Sequence, residues 1–220
     1  MQYLLQQHLQ RVAFTYTEPV TWYEYIWECA LLFEKHNISM VMVTNGYINP
    51  GPWSELLPYV DALNIDLKSM NPEFYLHTCK GKLQPVLDSI SLAAETCHLE
   101  ITNLLIPGLN DREEELAALV DFIAALNPDI PLHFSRYFPR YQSHQNTTPE
   151  HLLLRAYHIA REKLNYVYIG NIKLDKLSDT YCPQCKSNLV NRDNYFVHID
   201  RLDGNRCSVC GHIIYGRFHS

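Results

Sequence analysis

Six short runs rich in β-branched and aromatic residues alternate with runs of helical periodicity between residues 11 and 170. No other feature of the sequence narrows its fold so far. The strand-like runs are 11–17, 39–44, 61–68, 98–106, 131–138 and 166–170. Helix-like runs fill the intervals, at about 19–35, 53–59 and 83–96, then after Asp111 and after Thr148. Strands that alternate with helices predict parallel pairing with helical crossovers. Right-handed crossovers leave two outcomes open, a doubly wound sheet or a partial (β/α) barrel. No G-x-G-x-x-G follows the first strand, which disfavours a dinucleotide-binding version. Asp111, with Glu114 three residues on, predicts a capping box; Thr148 before Pro149 predicts a second cap.

The chain can bury such a core, because 47% of its 220 residues are apolar. Its net charge of −6 argues against a nucleic-acid surface. No apolar run reaches the length of a membrane span. The start, MQYLLQQHLQ, lacks the charge and apolar stretch of a signal peptide. A cytoplasmic protein without membrane or nucleic-acid partners is expected.

Several strands carry polar residues on alternate positions. In DALNIDLK (61–68), Leu63, Ile65 and Leu67 share one face, while Asn64, Asp66 and Lys68 share the other. Thr15 and Thr17 lead to Glu18. His98, Glu100 and Thr102 alternate, as do His133 with Ser135 and Tyr166 with Tyr168. The apolar faces must meet the helices, so the polar faces are expected to converge on the interior. There they need ordered water, a polar ligand or one another. The alternative is a solvated face at a sheet edge. The position of Asp66 and Lys68 at a strand's C-terminal end favours the interior, where α/β sites form.

The pattern breaks after about residue 174. We expect a main domain over 1–176 and a small module over 177–220. The module holds Cys182-x2-Cys185 and Cys207-x2-Cys210, separated by 21 residues. Two such turns make a closed tetrahedral four-sulfur site, and metal binding would supply the folding energy of so short a segment. Zinc is expected, with iron the alternative that softness and geometry leave open. Cys29, Cys79 and Cys97 are scattered and read as small buried hydrophobes. His198 and His212 read as bystanders. Arginines and aspartates are nearly matched here, which favours a partner protein or a lid role over nucleic acid.

Six segments occur in a fixed order: Phe14-Thr-Tyr-Thr-Glu-Pro19, Val43-Thr-Asn-Gly-Tyr47, Asn64-Ile-Asp-Leu-Lys68, Leu105-Ile-Pro-Gly-Leu-Asn-Asp111, Pro131-Leu-His-Phe-Ser-Arg136 and Tyr166-Val-Tyr-Ile-Gly-Asn171. With the terminal cysteine pairs, they resemble the radical S-adenosylmethionine (SAM) enzymes of the AmmeMemoRadiSam system, relatives of the pyruvate formate-lyase activating enzymes. The resemblance implies a partial (β/α) barrel that binds SAM at the C-terminal ends of its strands. It implies that Glu18 holds the methionyl amino group, at the place of a Gly-Gly-Glu motif whose glycines are here Tyr16 and Thr17. It implies cofactor contacts from Asp66 and Lys68, and it makes Asn45 and His133 further candidates. Val43 stands where activating enzymes have an acid. The family's [4Fe-4S] cluster is held by Cys-x3-Cys-x2-Cys, a spacing this sequence lacks. The expectation is therefore a fragment, a miscalled start or half of a split enzyme, with a separate N-terminal segment as partner and an unpaired edge at the strand 11–17.

Three functions follow. One is radical chemistry on an unknown substrate, with a protein partner among the candidates. A second is a Schiff-base lyase using Lys68. A third is an inactive subunit that binds SAM or a partner and carries a zinc ribbon.

Overall fold

The computed structural model describes residues 2–174, 176–193 and 196–218. Strands β1 (Arg11–Phe14), β2 (Ser39–Thr44), β3 (Ala62–Asp66), β4 (His98–Leu105), β5 (Leu132–Arg136) and β6 (Val167–Gly170) form one sheet in that order. The β1–β2, β2–β3 and β5–β6 ladders are parallel. Spatial order equals chain order, so every crossover steps to the same side. A doubly wound sheet reverses direction at a switch point; this one does not. The choice left open by the sequence is therefore decided for the barrel type of winding. The strand 11–17 is cut short at Phe14 and lies at the sheet edge, as expected.

The chain divides into two compact units, Met1–Leu67 with Tyr75–Ile101, and Lys68–Phe74 with Thr102–Ser220. In the first, α1 (Gln2–Gln6) precedes β1, and α2 (Tyr23–Lys35), α3 (Pro50–Leu56) and α5 (Gln84–Thr96) supply the apolar cover. Parallel partners share a face, so Phe14 and Met42 align with Leu63, and Thr44 with Ile65. Phe14 stacks on Phe33 of α2 at 6.1 Å. Met40, Met42 and Ile65 are fully enclosed. Pro50 and Pro52 open α3 with the φ a first helical turn needs. Its Trp53 is buried, and the indole N–H donates to the Ser89 carbonyl at 3.0 Å, fixing α3 on the Gln84–Thr96 helix. Gly46 closes the turn after β2 at φ +66°, and a Cβ there would lie 2.8 Å from Ile65 Cγ2.

In the second unit, the short α4 (Pro72–Phe74) follows Lys68, and α6 (Glu113–Leu126) and α7 (Glu150–Arg161) pack beside β5 and β6, whose Leu132, Phe134, Val167 and Ile169 are buried. Both predicted caps fail. The N-cap of α6 is Arg112, and Asp111 instead accepts the Gly108 N–H at 2.9 Å, closing the Pro-Gly turn. Pro149 is the N-cap of α7. Thr148 is buried, donates to the Leu105 carbonyl at 2.6 Å and accepts the Tyr137 N–H at 2.8 Å. Long-range demand for its hydroxyl outcompetes the local cap.

The cysteine module comprises β7 (Thr180–Tyr181), β8 (Asn188–Asp193) and β9 (Phe196–Ile199) in one antiparallel sheet, and a hairpin of β10 (Leu202–Asp203) and β11 (Arg206–Cys207). Its core joins Cys182, Leu189, Val190, Cys207 and Ile214 with Tyr166, the residue before β6. The phenol of Tyr168 meets Thr180 Oγ1 at 2.9 Å. The Arg192 guanidinium lies 5.5 Å over the Tyr168 ring and donates to Thr180 Oγ1 and to the Ser178 carbonyl. So the polar face of β6, expected to line an interior, is covered by the module. Asp179 is buried. Its carboxylate accepts the Arg192 N–H and the side-chain amides of Asn188 and Asn191.

Candidate cofactor clamp and metal centre

Glu18 follows two residues in left-handed backbone, Tyr16 at φ +52° and Thr17 at φ +53°. That region suits glycine and is an outlier for a β-branched residue. The strained link ends β1 and swings Glu18 back beside the end of β2. There Glu18 Oε1 accepts the Thr44 hydroxyl, and Oε2 accepts the Asn45 N–H at 2.8 Å. The Val20 N–H lies 3.4 Å from Oε1, as Glu18 also caps the short 3-10 turn Pro19–Trp22. A carboxylate offers about four acceptor sites. Three are engaged, and the group stays partly exposed, so the clamp leaves room for a cationic donor such as an ammonium group. Thr44 is itself buried and accepts the Gly46 N–H at 3.2 Å. The Asn45 side chain accepts the Tyr47 N–H at 2.8 Å, so Asn45 shapes the turn with both its amides.

Asn64 and Asp66 are half-buried on β3, and Asn64 is in register with Val43. Alternation places them on the face opposite Leu63 and Ile65, away from the helices. In the second unit, two side-chain amides grip the backbone of Lys68: Asn103 donates to its carbonyl at 3.2 Å and Asn110 at 2.6 Å. Asn110 also donates to the Leu104 carbonyl and accepts the Ile106 N–H. The Pro-Gly-Leu-Asn turn thus fixes the chain at Lys68. Ser69 donates to the Glu115 carboxylate on α6. His133 on β5 stacks on Tyr168 of β6 with ring centroids 5.0 Å apart. Asn103, Asn110 and Ser69 were missed in the sequence, where buried amides carry no local signature; the "PGLND" turn was the available hint.

The four module cysteines present sulfurs that all lie within 4.8 Å of one another. Cys182 and Cys210 are 3.6 Å apart, as are Cys185 and Cys207. Tetrahedral zinc, with bonds near 2.3 Å, needs sulfurs about 3.8 Å apart. The donor set therefore fits one metal ion. It does not suit a four-iron cluster, whose ligands bind different irons and must stand farther apart. Hydrogen bonds from the Ser187 hydroxyl and backbone lower the Cys185 thiol to about 6. The His212 backbone N–H favours the Cys210 thiolate, but desolvation and hydrogen bonds to the other three sulfurs outweigh it and push that thiol up to about 12. Among the described residues these four are the group of three or more metal-ligating side chains that comes together. Cys29, Cys79 and Cys97, partly buried on separate elements, do not join one. The residues present here thus do not fit a [4Fe-4S] cluster. Among the described residues no helix is long and apolar enough to cross a membrane.

Comparison with known proteins gives three further findings. The radical SAM superfamily model matches residues 1–120. An uncharacterized protein of Methanocaldococcus jannaschii is 39% identical over 206 residues, 91% of this chain. The chain spans 61% of that relative's length. Among solved structures, a domain of pyruvate-formate lyase-activating enzyme from Bacteroides vulgatus superposes with a TM-score of 0.62 at 23% identity, covering 73% of this chain and 98% of the domain. Streptococcus suis SuiB bound to S-adenosylmethionine superposes with a TM-score of 0.55 at 14% identity, covering 73% of this chain and 38% of SuiB. At these identities the two structures speak to the fold, a partial α/β barrel.

Proposed function

Because this chain belongs to the radical SAM superfamily, we propose that its first unit binds S-adenosylmethionine and that the whole protein is a radical enzyme of the AmmeMemoRadiSam system. The observation that carries the reading is the clamp on Glu18. A carboxylate held by the Thr44 hydroxyl and the Asn45 N–H is oriented before any ligand arrives. A charge-assisted hydrogen bond then fixes the methionyl ammonium. Asp66, on the helix-distal face of β3, accepts hydroxyl protons of the ligand in this reading. Lys68 belongs to the second unit, where two amides pin its backbone, and is a candidate on its motif alone. His133 and the turn at Asn45 are secondary candidates. In the superfamily a reduced [4Fe-4S] cluster supplies the electron that splits the sulfonium. The residues of this chain do not fit that cluster, and no step through it is assigned to them. The module holds a structural zinc ion and acts as a docking element or lid.

The test is equilibrium binding of S-adenosylmethionine to the purified chain. Wild-type protein binds it, and Glu18→Gln weakens binding at least about tenfold, the usual cost of losing one charge-assisted contact. Unchanged affinity in Glu18→Gln sinks the assignment. The metal content of the same sample should be about one zinc per chain; iron there replaces that part of the reading. A second reading is a binding subunit without turnover. It predicts SAM binding with no 5′-deoxyadenosine after anaerobic reconstitution. Borohydride trapping of a carbonyl substrate on Lys68 would redirect both readings to the Schiff-base class.

A further inference from the structure

The last strand of the main sheet and the start of the cysteine module run side by side in opposite directions, both within the second unit. Two contacts fix their alignment. The Ile169 N–H donates to the Leu177 carbonyl at 3.0 Å, and the Tyr168 phenol meets Thr180 Oγ1 at 2.9 Å. A step back along the chain to Tyr166 is therefore a step forward in the module to Cys182. The two side chains share one buried core, with Tyr166 at 3% exposure and Cys182 at 0%. The backbone of Tyr166 belongs to the sheet, since its carbonyl accepts the Leu132 N–H at 3.0 Å.

Each of these two side chains lacks what the other offers. The Tyr166 hydroxyl is buried without a hydrogen bond among the described residues. The Tyr215 backbone N–H approaches its oxygen, which still leaves the O–H proton without an acceptor. The Asp129 carboxylate, whose charge also reaches the phenol, takes the Asn165 amide at 2.7 Å. On the sulfur side, Cys185 and the Ser187 hydroxyl meet at 3.3 Å, and Cys210 has the His212 backbone N–H. Cys182 Sγ meets Cys210 Sγ at 3.6 Å and receives no N–H or O–H from the described residues. A thiol sulfur is a weak acceptor, but a metal-bound thiolate carries negative charge and accepts well. Donors of this kind orient a metal ligand and tune how firmly it holds the ion.

We propose that the Tyr166 hydroxyl donates to Cys182 Sγ when that sulfur is a metal-bound thiolate, which makes Tyr166 a positioning residue of the metal centre supplied by the main sheet. The inference rests on the reading of the four cysteines as a metal site and deepens it. The phenol gains its acceptor and the most enclosed sulfur gains its donor in one hydrogen bond. The ion and the sheet are then joined through a single proton.

Cobalt(II) exchanged into the full chain tests it, because thiolate-to-cobalt charge-transfer bands report the electron density on the sulfurs. Tyr166→Phe keeps the ring and removes the proton donor. Its bands move to lower energy than those of the wild type, and its zinc affinity, measured by chelator competition, falls at least about tenfold. Tyr168→Phe, whose lost phenol faced Thr180 rather than a sulfur, leaves the bands in place. Unmoved bands in a folded Tyr166→Phe protein overturn the proposal whatever its melting temperature, since a packing role would not touch the sulfur's electrons. An equal shift in both variants overturns it too. If Tyr166→Phe fails to fold, the wild type decides. With cadmium-113 bound, the Tyr166 hydroxyl proton shows scalar coupling to the metal through the Cys182 sulfur, and absence of that coupling overturns the proposal. A chain that binds neither cobalt, zinc nor cadmium overturns the metal reading as well, which tells the two failures apart.

Discussion

Tyr16 and Thr17 carry a conformational cost that the sequence hinted at but did not measure. Both occupy left-handed backbone, which costs a non-glycine residue about 1–2 kcal/mol. Glycine would relieve that cost and add back about 0.5–1 kcal/mol of chain entropy. Thr17→Gly should therefore stabilise the protein by up to about 1 kcal/mol, read as a higher melting temperature. A lower one would mean the threonine side chain contributes something its backbone conformation conceals. The strain persists because the link must deliver Glu18 to Thr44 and Asn45. The motif singles out Glu18 as a candidate. It does not single out the partners of Glu18: Thr44 is 26 positions away, and nothing local marks it as the donor.

At the scale of elements, the helices and strands were largely readable, because hydrophobic period is a local property. The strand 39–44 and the helix ending at Thr96 stand where the pattern put them. The failures lie at helix starts. Asp111 and Thr148 have the right chemistry for caps, yet each serves another element. Thr148 ties the end of β4 to the segment after β5, using its hydroxyl as donor and acceptor. Thr148→Val should cost about 2–4 kcal/mol, since two buried backbone groups lose their partner. Thr148→Ser should recover most of it. Urea unfolding of the pair checks this; equal stability of the valine and serine variants would show that packing, not the hydroxyl, matters.

At the scale of the whole molecule, the cysteine module is continuous with the last strand through Tyr166 and Tyr168. Removing the metal should therefore do more than loosen the module. Chelation should raise hydrogen exchange in 188–193 and also in 166–170; protection of 166–170 that survives chelation would separate the two. The metal-free protein has a defined pH response. Cys185, lowered from 9.0 to about 6, contributes stability that is complete above 9 and is lost as pH falls through 6. Cys210, raised from 9.0 to about 12, contributes stability that is complete below 9 and is lost as pH rises towards 12. Thermal melts of chelated protein should be highest near pH 9.0, where neither loss has begun. A melting temperature that climbs steadily to pH 11 would contradict the raised Cys210 thiol. The sequence by itself determined the α/β class and the four-sulfur site, because hydrophobic period and Cys-x2-Cys spacing are written within single segments. Only the tertiary structure decided the unreversed strand order, the partners of Glu18, the grip of Asn103 and Asn110 on Lys68, and the burial of Tyr166 in the module. Each of those depends on residues far apart in the chain, whose meeting is set by packing energy rather than by any local preference.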